Sequence, residues 1–162
     1  MSSYLKKINH IKNKFSKFNS SELDNVLNVL DNSGIDYVKK LESLFCKTFK
    51  TRYAIACNSG TSGLHSALAA LNLKKNDEVI VPGLTVVMDA YSAFHVGAKP
   101  IFADVDEETY LITAETIKKK ITKRTKAIMV VSLQGLPVDI DPIMKIAKER
   151  NITVIEDNAQ DM

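Results

Sequence analysis

Residues 58–63 read NSGTSG, so two glycines and three hydroxyl side chains directly follow a short apolar run, YAIAC, at residues 53–57. An apolar stripe of helical spacing comes next, which predicts that the segment joins a buried strand to the start of a helix. The first N–H groups of a helix have no intrahelical partner and carry partial positive charge, so they bind phosphate well. The alternative is an ordinary strand-to-helix turn capped by one of the hydroxyls. The segment is neither a P-loop nor a GxGxxG turn, because GK[ST] and a correctly placed third glycine are missing.

A carboxylate follows another apolar run. Asp157 comes directly after TVIE at residues 153–156, and Asn158, Ala159 and Gln160 follow it. A carboxylate at the end of a buried strand is costly unless it has a partner. The protonated ring nitrogen of a bound heterocycle is one such partner, and the anion would in turn keep that nitrogen protonated. The alternative is that Asp157 caps the next turn.

A third loop, PGLTV at residues 82–86, also lies between a predicted strand and a predicted helix. In open α/β sheets, ligands bind at the carboxyl ends of the strands, where all three segments are expected to lie. The third loop would then form a wall of the pocket. Taken by itself, the segment favours the interpretation as an ordinary connecting loop.

Helices and strands must alternate to position these loops. Two helices are predicted first, one capped by Asn19 and one running through residues 38–49. Later helices are predicted to begin at the caps Thr113 and Asp141, the latter with Pro142 at the first helical position. The predicted strands are at residues 53–57, 78–81, 100–105, 127–133 and 153–156. Strands that are apolar on both faces predict a three-layer α/β fold, with a mostly parallel sheet covered by helices on both sides. The expected division is an N-terminal helical segment, residues 1–50, and an α/β domain, residues 51–162.

In their order and spacing, the three loops resemble the DegT/DnrJ/EryC1/StrS sugar aminotransferases, a family of fold-type I enzymes that depend on pyridoxal 5'-phosphate (PLP). The matching text runs through CNSGTSGLHSALAALNLKKNDEVIVPGLT, GAKPIFADVDEETYLI and ITKRTKAIMVVSLQGLPVDIDPIMKIAKERNITVIEDNAQ, and covers roughly residues 20–160. The resemblance implies that the NSGTSG turn binds the cofactor phosphate and that the carboxylate after TVIE pairs with the pyridine nitrogen. It also implies that a glutamine lies near the ring hydroxyl and that the PGLTV loop lies against the ring. The residues so assigned are Gly60, Thr61, Ser62, Thr85, Val86, Asp157 and Gln160.

The chain departs from the family pattern at three places. Val86 stands where many members have an aromatic residue that stacks on the cofactor ring, and a valine offers less area. Gln134 stands where tyrosine is common. The Schiff-base lysine of the family lies beyond the aspartate, in a segment that this chain does not contain. We therefore expect a truncated large domain that has no catalytic residue of its own and is inactive alone. None of the lysines of this chain is expected to take the place of the Schiff-base lysine, and three of them are expected at the surface: Lys126, Lys145 and Lys148.

For the intact enzyme, the resemblance implies transfer of an amino group from a donor such as glutamate to a nucleotide-linked keto-sugar. Such enzymes serve polysaccharide, lipopolysaccharide or antibiotic-sugar biosynthesis and are usually homodimers. Two alternatives remain. Relatives with histidine in place of the lysine dehydrate such sugars with the same cofactor, and a truncated chain could be a non-catalytic remnant that binds the cofactor.

The composition sets the remaining expectations. The net charge of +3 is too small to indicate a nucleic-acid partner, although basic residues cluster near the N-terminus. The two cysteines form no close pair, and the histidines His10, His65 and His95 have no metal-ligand spacing. No apolar run is long enough to span a bilayer, and the first residues lack a signal core. The expected protein is cytoplasmic, without a metal, a membrane or a nucleic-acid partner.

Overall fold

A computed structural model describes residues 20–31, 34 and 36–161 of the 162-residue chain. The chain forms two compact units, Met1–Ala56 and Cys57–Met162. The basic N-terminal residues and the predicted cap Asn19 lie outside the described residues. None of the described helices is both long and apolar enough to cross a membrane.

The first unit contains the two helices predicted from the sequence, α1 (Ser20–Leu30) and α2 (Tyr37–Phe49). Helix α2 begins where the Asp36 carboxylate accepts a hydrogen bond of 3.0 Å from the Lys39 N–H group. This hydrogen bond lowers the pKa of Asp36. The helix ends at Phe49, and its C-cap Lys50 has a φ of 54°, in the left-handed region.

The predicted strand at residues 53–57 is wrong. The structure shows no strand there, and the side chains of Tyr53 and Ile55 are 79% and 81% exposed. The prediction relied on apolar character, but a strand also needs the backbone of a neighbouring strand with which to pair. An apolar run does not say whether that neighbour is present.

The second unit is built on a four-stranded sheet in the order β2-β1-β3-β4, and every pairing is parallel. The strands are β1 (Glu78–Pro82), β2 (Lys99–Ala103), β3 (Thr125–Val131) and β4 (Thr153–Asp157). The inner strands β1 and β3 are buried along their length except at Lys126. Burial on both faces explains why these two strands read as continuous apolar runs.

Four helices accompany the sheet: α3 (Gly60–Ala69), α4 (Met88–His95), α5 (Ala114–Lys118) and α6 (Ile140–Arg150). Alternate residues of β1 point to opposite faces, with Ile80 in one buried cluster and Val79 in another. The first cluster includes Ile117 of α5 and Ile143 of α6. The second cluster draws on α3 and α4 through Leu64, Leu68 and Ala93. The sheet is therefore covered on both faces, which confirms the predicted three-layer α/β fold.

Of the two predicted caps in this unit, one is confirmed and one is wrong. Thr113 caps α5 in a capping box with Thr116. Helix α6 begins at Ile140 with Asp139 as its N-cap, so Asp141 is already inside the helix and Pro142 is its third residue. The N–H groups of the first turn have no partner inside the helix, so a proline is tolerated at the third position as well as at the first.

Glu78 anchors the amino-terminal end of β1. Its carboxylate is 1% exposed and accepts hydrogen bonds from Arg124 Nε at 2.8 Å, Arg124 Nη2 at 2.6 Å and Thr122 Oγ1 at 2.5 Å. Burial acts to raise the pKa of Glu78, but the hydrogen bonds from Thr122 and Arg124 outweigh burial and lower it. The cluster ties β1 to the turn that precedes β3.

Candidate functional site

The NSGTSG turn opens α3. Ser59 has extended backbone and is the N-cap: its Oγ accepts a hydrogen bond of 3.2 Å from the Ser62 N–H group. The first backbone bond of the helix, 3.1 Å long, joins the Gly63 N–H group to the Ser59 carbonyl. The N–H groups of Gly60 and Thr61 come before it, in the turn where a helix has no internal acceptors. A Cβ placed on Gly60 would meet nothing within 4 Å, so the space beside the turn is open. Capping by Ser59 and anion binding by the next two N–H groups are therefore compatible.

The loop after β1 is held close to the end of β2. The Gly83 N–H group donates a hydrogen bond of 2.7 Å to the Ala103 carbonyl, and a Cβ at Gly83 would lie 3.2 Å from that oxygen. Thr85 follows, and its Oγ1 donates a hydrogen bond of 2.5 Å to Oδ2 of Asp89. Val86, beside it, is 55% exposed. The loop therefore turns one hydroxyl inward and leaves two apolar side chains, Leu84 and Val86, exposed.

Asp89 is fully buried in the first turn of α4 and lies against Asp157 at the end of β4. Burial raises the pKa of Asp89 to about 6, with a smaller rise from the charge and hydrogen bonding of Asp157 and an opposing effect of the Thr85 hydroxyl. Asp157 is half-buried, and its Oδ1 accepts a hydrogen bond of 3.0 Å from the Ala159 N–H group. The structure thus brings Thr85 and Asp157, both predicted from the sequence, together through a third residue that the sequence analysis missed. The available signal was a carboxylate four positions after Thr85, on the first turn of an apolar helix.

Gln160 is held by the loop that follows β3. Its Oε1 accepts a hydrogen bond of 2.5 Å from the Gln134 N–H group. Gln134 has a φ of 56°, in the left-handed region that residues other than glycine adopt at a cost. An amide whose oxygen is engaged in this way keeps its NH₂ group for another acceptor. Gln134, to which the sequence assigned no role, therefore orients Gln160 through its backbone.

A cavity of about 320 Å³ lies between the start of α3 and one side of α4. Thr61 and Ser62 line it, together with His65, Met88, Tyr91, Ser92 and His95. The ring centroids of His65 and His95 are 5.8 Å apart, although no sequence pattern links the two histidines. His10 lies outside the described residues. No group of three or more metal-ligating side chains occurs among residues 20–31, 34 and 36–161.

The parallel sheet, the helices on both faces and the polar loops at the carboxyl edge define a PLP-dependent transferase fold, as solved relatives show. The aminotransferase of Psychrobacter cryohalolentis superposes with a TM-score of 0.83 at 40% identity, over 90% of this chain and 38% of that chain. An E. coli GDP-4-keto-6-deoxy-D-mannose-3-dehydratase, solved with bound hydrated PLP, superposes with a TM-score of 0.79 at 36% identity. That match covers 88% of this chain and 39% of the dehydratase.

The family model of the DegT/DnrJ/EryC1/StrS aminotransferase family matches residues 16–162, and the chain belongs to this family. GDP-perosamine synthase of Escherichia coli O157:H7 is 44% identical over 125 residues, which are 77% of this chain and 34% of that protein. The chain thus spans about a third of the length of this curated relative. The predicted family and its dependence on PLP are confirmed.

Proposed function

We propose that this chain supplies the PLP-binding edge of an aminotransferase that acts on a nucleotide-linked keto-sugar. The observation that carries the proposal is the position of Asp157, a half-buried carboxylate at the end of β4 and at the same edge of the sheet as Thr85. A carboxylate in this place suits a pyridinium nitrogen, because an anion keeps that nitrogen protonated. PLP, when bound, withdraws electrons from the carbon that carries the amino group.

We assign these residues to the two ends of the cofactor. At the phosphate end, the N–H groups of Gly60 and Thr61 and the hydroxyls of Thr61 and Ser62 donate hydrogen bonds, and the helix dipole adds partial positive charge. At the ring end, the Asp157 carboxylate accepts a hydrogen bond from the protonated ring nitrogen. Val86 packs on the ring face, and the Gln160 amide donates to the ring hydroxyl. None of these groups is assigned a covalent role, and the Schiff-base lysine is not assigned to any residue of this chain.

The substrate proposal follows from the relatives. Since GDP-perosamine synthase is 44% identical to this chain, we assign a sugar carried on a nucleotide as acceptor and an amino acid such as glutamate as donor. A 36% identical dehydratase of a GDP-linked keto-sugar makes dehydration the second candidate. The mass of the product separates the two, because amination replaces the keto oxygen by an amino group, whereas the 3-dehydratase reaction removes a hydroxyl oxygen. We further place the enzyme in the cytoplasm as a homodimer, and propose that this chain by itself does not turn over.

The test is titration of the chain with PLP, followed by absorbance and by ligand-induced stabilisation. Asp157→Asn and Thr61→Ala are expected to weaken binding roughly tenfold each, since each removes a charged or hydrogen-bonding partner. Asp141→Asn is the matched control, because Asp141 is an exposed aspartate on α6. Equal affinities for the wild type, Asp157→Asn and Asp141→Asn would contradict the assignment of Asp157.

A further inference from the structure

The surroundings of the Asp89 side chain favour its protonated form over its ionised form. Its side chain is fully buried, and Thr85 Oγ1 donates to its Oδ2 at 2.5 Å. Its Oδ1 is buried as well and accepts no hydrogen bond from the residues that the structure describes. An ionised oxygen without a donor is strongly disfavoured in such a place. A protonated oxygen becomes a donor and needs only an acceptor.

Asp157 is the acceptor that lies beside it. Two carboxyl groups that share a poorly solvated site do not both ionise readily, because the second charge is repelled by the first. We infer that Asp89 keeps a proton and donates it in a hydrogen bond to Asp157, so that the pair carries one negative charge, which resides on Asp157. Asp89 is thus a positioning residue that acts through its neighbour. The raised pKa of Asp89, about 6, agrees with this arrangement below about pH 6, and the proton is lost as the pH rises above that value.

The other titratable groups around α4 do not explain the arrangement. Helix α3 presents His65, which lies against His95 of α4. Strands β1 and β2 present Glu78 and Lys99, which are paired in register at the opposite edge of the sheet. Asp157 is the group whose charge acts on Asp89.

The consequence for the cofactor rests on the proposed function, whereas the shared proton does not. A protonated Asp89 fixes the orientation of the Asp157 carboxylate and leaves one full negative charge for the ring nitrogen. The ring nitrogen would then face the negative charge of Asp157, while the uncharged Asp89 holds the Asp157 carboxylate in place. Neither the fold nor the family resemblance alone would have singled out Asp89.

The proton is tested by carbon-13 NMR of the full chain labelled at aspartate side chains. One carboxyl of the wild type is expected to titrate near pH 6, while ordinary aspartates titrate near about 3.9. Asp89→Asn should remove this transition. Asp157→Asn should lower its midpoint, because the neighbouring charge is lost, and Thr85→Val should raise it, because a hydrogen bond to the ionised form is lost. A wild type without a transition above about pH 5, or a midpoint that Asp157→Asn leaves unchanged, overturns the inference.

The positioning role is tested by PLP titration at pH 5, below the Asp89 pKa of about 6, where this acid carries its proton. In Asp89→Asn the amide still donates to Asp157, so the affinity is expected within about threefold of the wild type. Asp89→Ala removes the donor and is expected to weaken binding roughly tenfold. Equal affinity of Asp89→Ala and the wild type would refute the role. Absence of PLP binding by the wild type would instead count against the proposed function, and the NMR transition would then still decide the shared proton. Should Asp89→Ala not fold, the NMR comparison of the isosteric variants remains decisive.

Discussion

Arg124→Met is expected to destabilise the chain more than Glu78→Leu, although the second change removes more hydrogen bonds. Glu78 is 1% exposed, whereas the side chain of Arg124 is 60% exposed. Without Arg124, the carboxylate stays buried with Thr122 as its remaining side-chain donor. Without Glu78, the guanidinium is free to be hydrated. Leaving the Glu78 carboxylate buried without its arginine costs more stability than replacing that carboxylate by an apolar side chain.

The magnitude follows from the same contacts. Breaking a buried pair by removing one partner costs about 3–5 kcal/mol, and the exposure of Arg124 reduces this to roughly 2 kcal/mol. Replacing Glu78 by leucine, a side chain of similar volume, is expected to cost on the order of 1 kcal/mol or less. The difference should depend on pH. Since the folded pKa of Glu78 is lowered, the pair stabilises the fold above pH 4.5, the ordinary value, and this stabilisation is lost as the pH falls through the folded pKa.

The assay is urea unfolding followed by far-UV circular dichroism at pH 7 and again near pH 3. Arg150→Met, at an exposed position at the end of α6, is the matched control and should cost at most about 0.5 kcal/mol. The double variant should recover most of the loss seen with Arg124→Met, because no buried charge remains. If Glu78→Leu costs more than Arg124→Met, the buried charge is not what the arginine compensates, and the reasoning fails.

Three further predictions concern the edge of the sheet. The folded pKa of Asp89 is raised from 3.8 to about 6, so the stability of the wild type should fall by at most about 3 kcal/mol as the pH rises from 3.8 to 6. Asp89→Asn should show no such fall in unfolding measured at pH 4 and pH 7, and parallel pH profiles of the two proteins would contradict this prediction. Gly83→Ala should lower the free energy of unfolding in urea by about 1 kcal/mol, because its Cβ would lie 3.2 Å from a carbonyl oxygen. Gly63→Ala, whose Cβ would meet open space on α3, should be neutral or stabilising, and equal effects of the two changes would argue against the close approach at Gly83. Ser59→Ala should lower the free energy of unfolding by about 1 kcal/mol, because α3 loses its N-cap. Ser66→Ala, at an exposed position of the same helix, should change it by no more than about 0.5 kcal/mol. If Ser59→Ala has no larger effect than Ser66→Ala, the cap is dispensable.

The sequence was sufficient where local pattern and burial agree. Strand β3 was recognised because burial on both faces demands a continuous apolar run, and α5 was recognised through its cap Thr113. Residues 53–57 have the same apolar character as β3, yet they form no strand, because pairing depends on a neighbour that composition does not reveal. The start of α6 was misplaced by two residues, since Asp139 and Asp141 are equally good caps by type.

The candidate site was predictable in its parts and not in its connections. Thr85 and Asp157 were identified from their positions after strands. Asp89, which joins them, reads in sequence as one more polar residue of a helix. Only packing shows that it is buried and next to another carboxyl. The same holds for His65 and His95, which are 30 positions apart and meet because α3 packs on α4.

The strand order also has a consequence for biosynthesis. Strand β1 lies between β2 and β3, and β3 begins about 40 residues after β1 ends. At a synthesis rate of about 5–20 residues per second, one side of β1 stays open on the nascent chain for on the order of 2–8 s. During that interval the unpaired backbone N–H and C=O groups of the apolar segment 79–81 can pair with a strand of another chain. The ribosome-bound chain, rather than the finished protein, is therefore where chaperone protection is most needed.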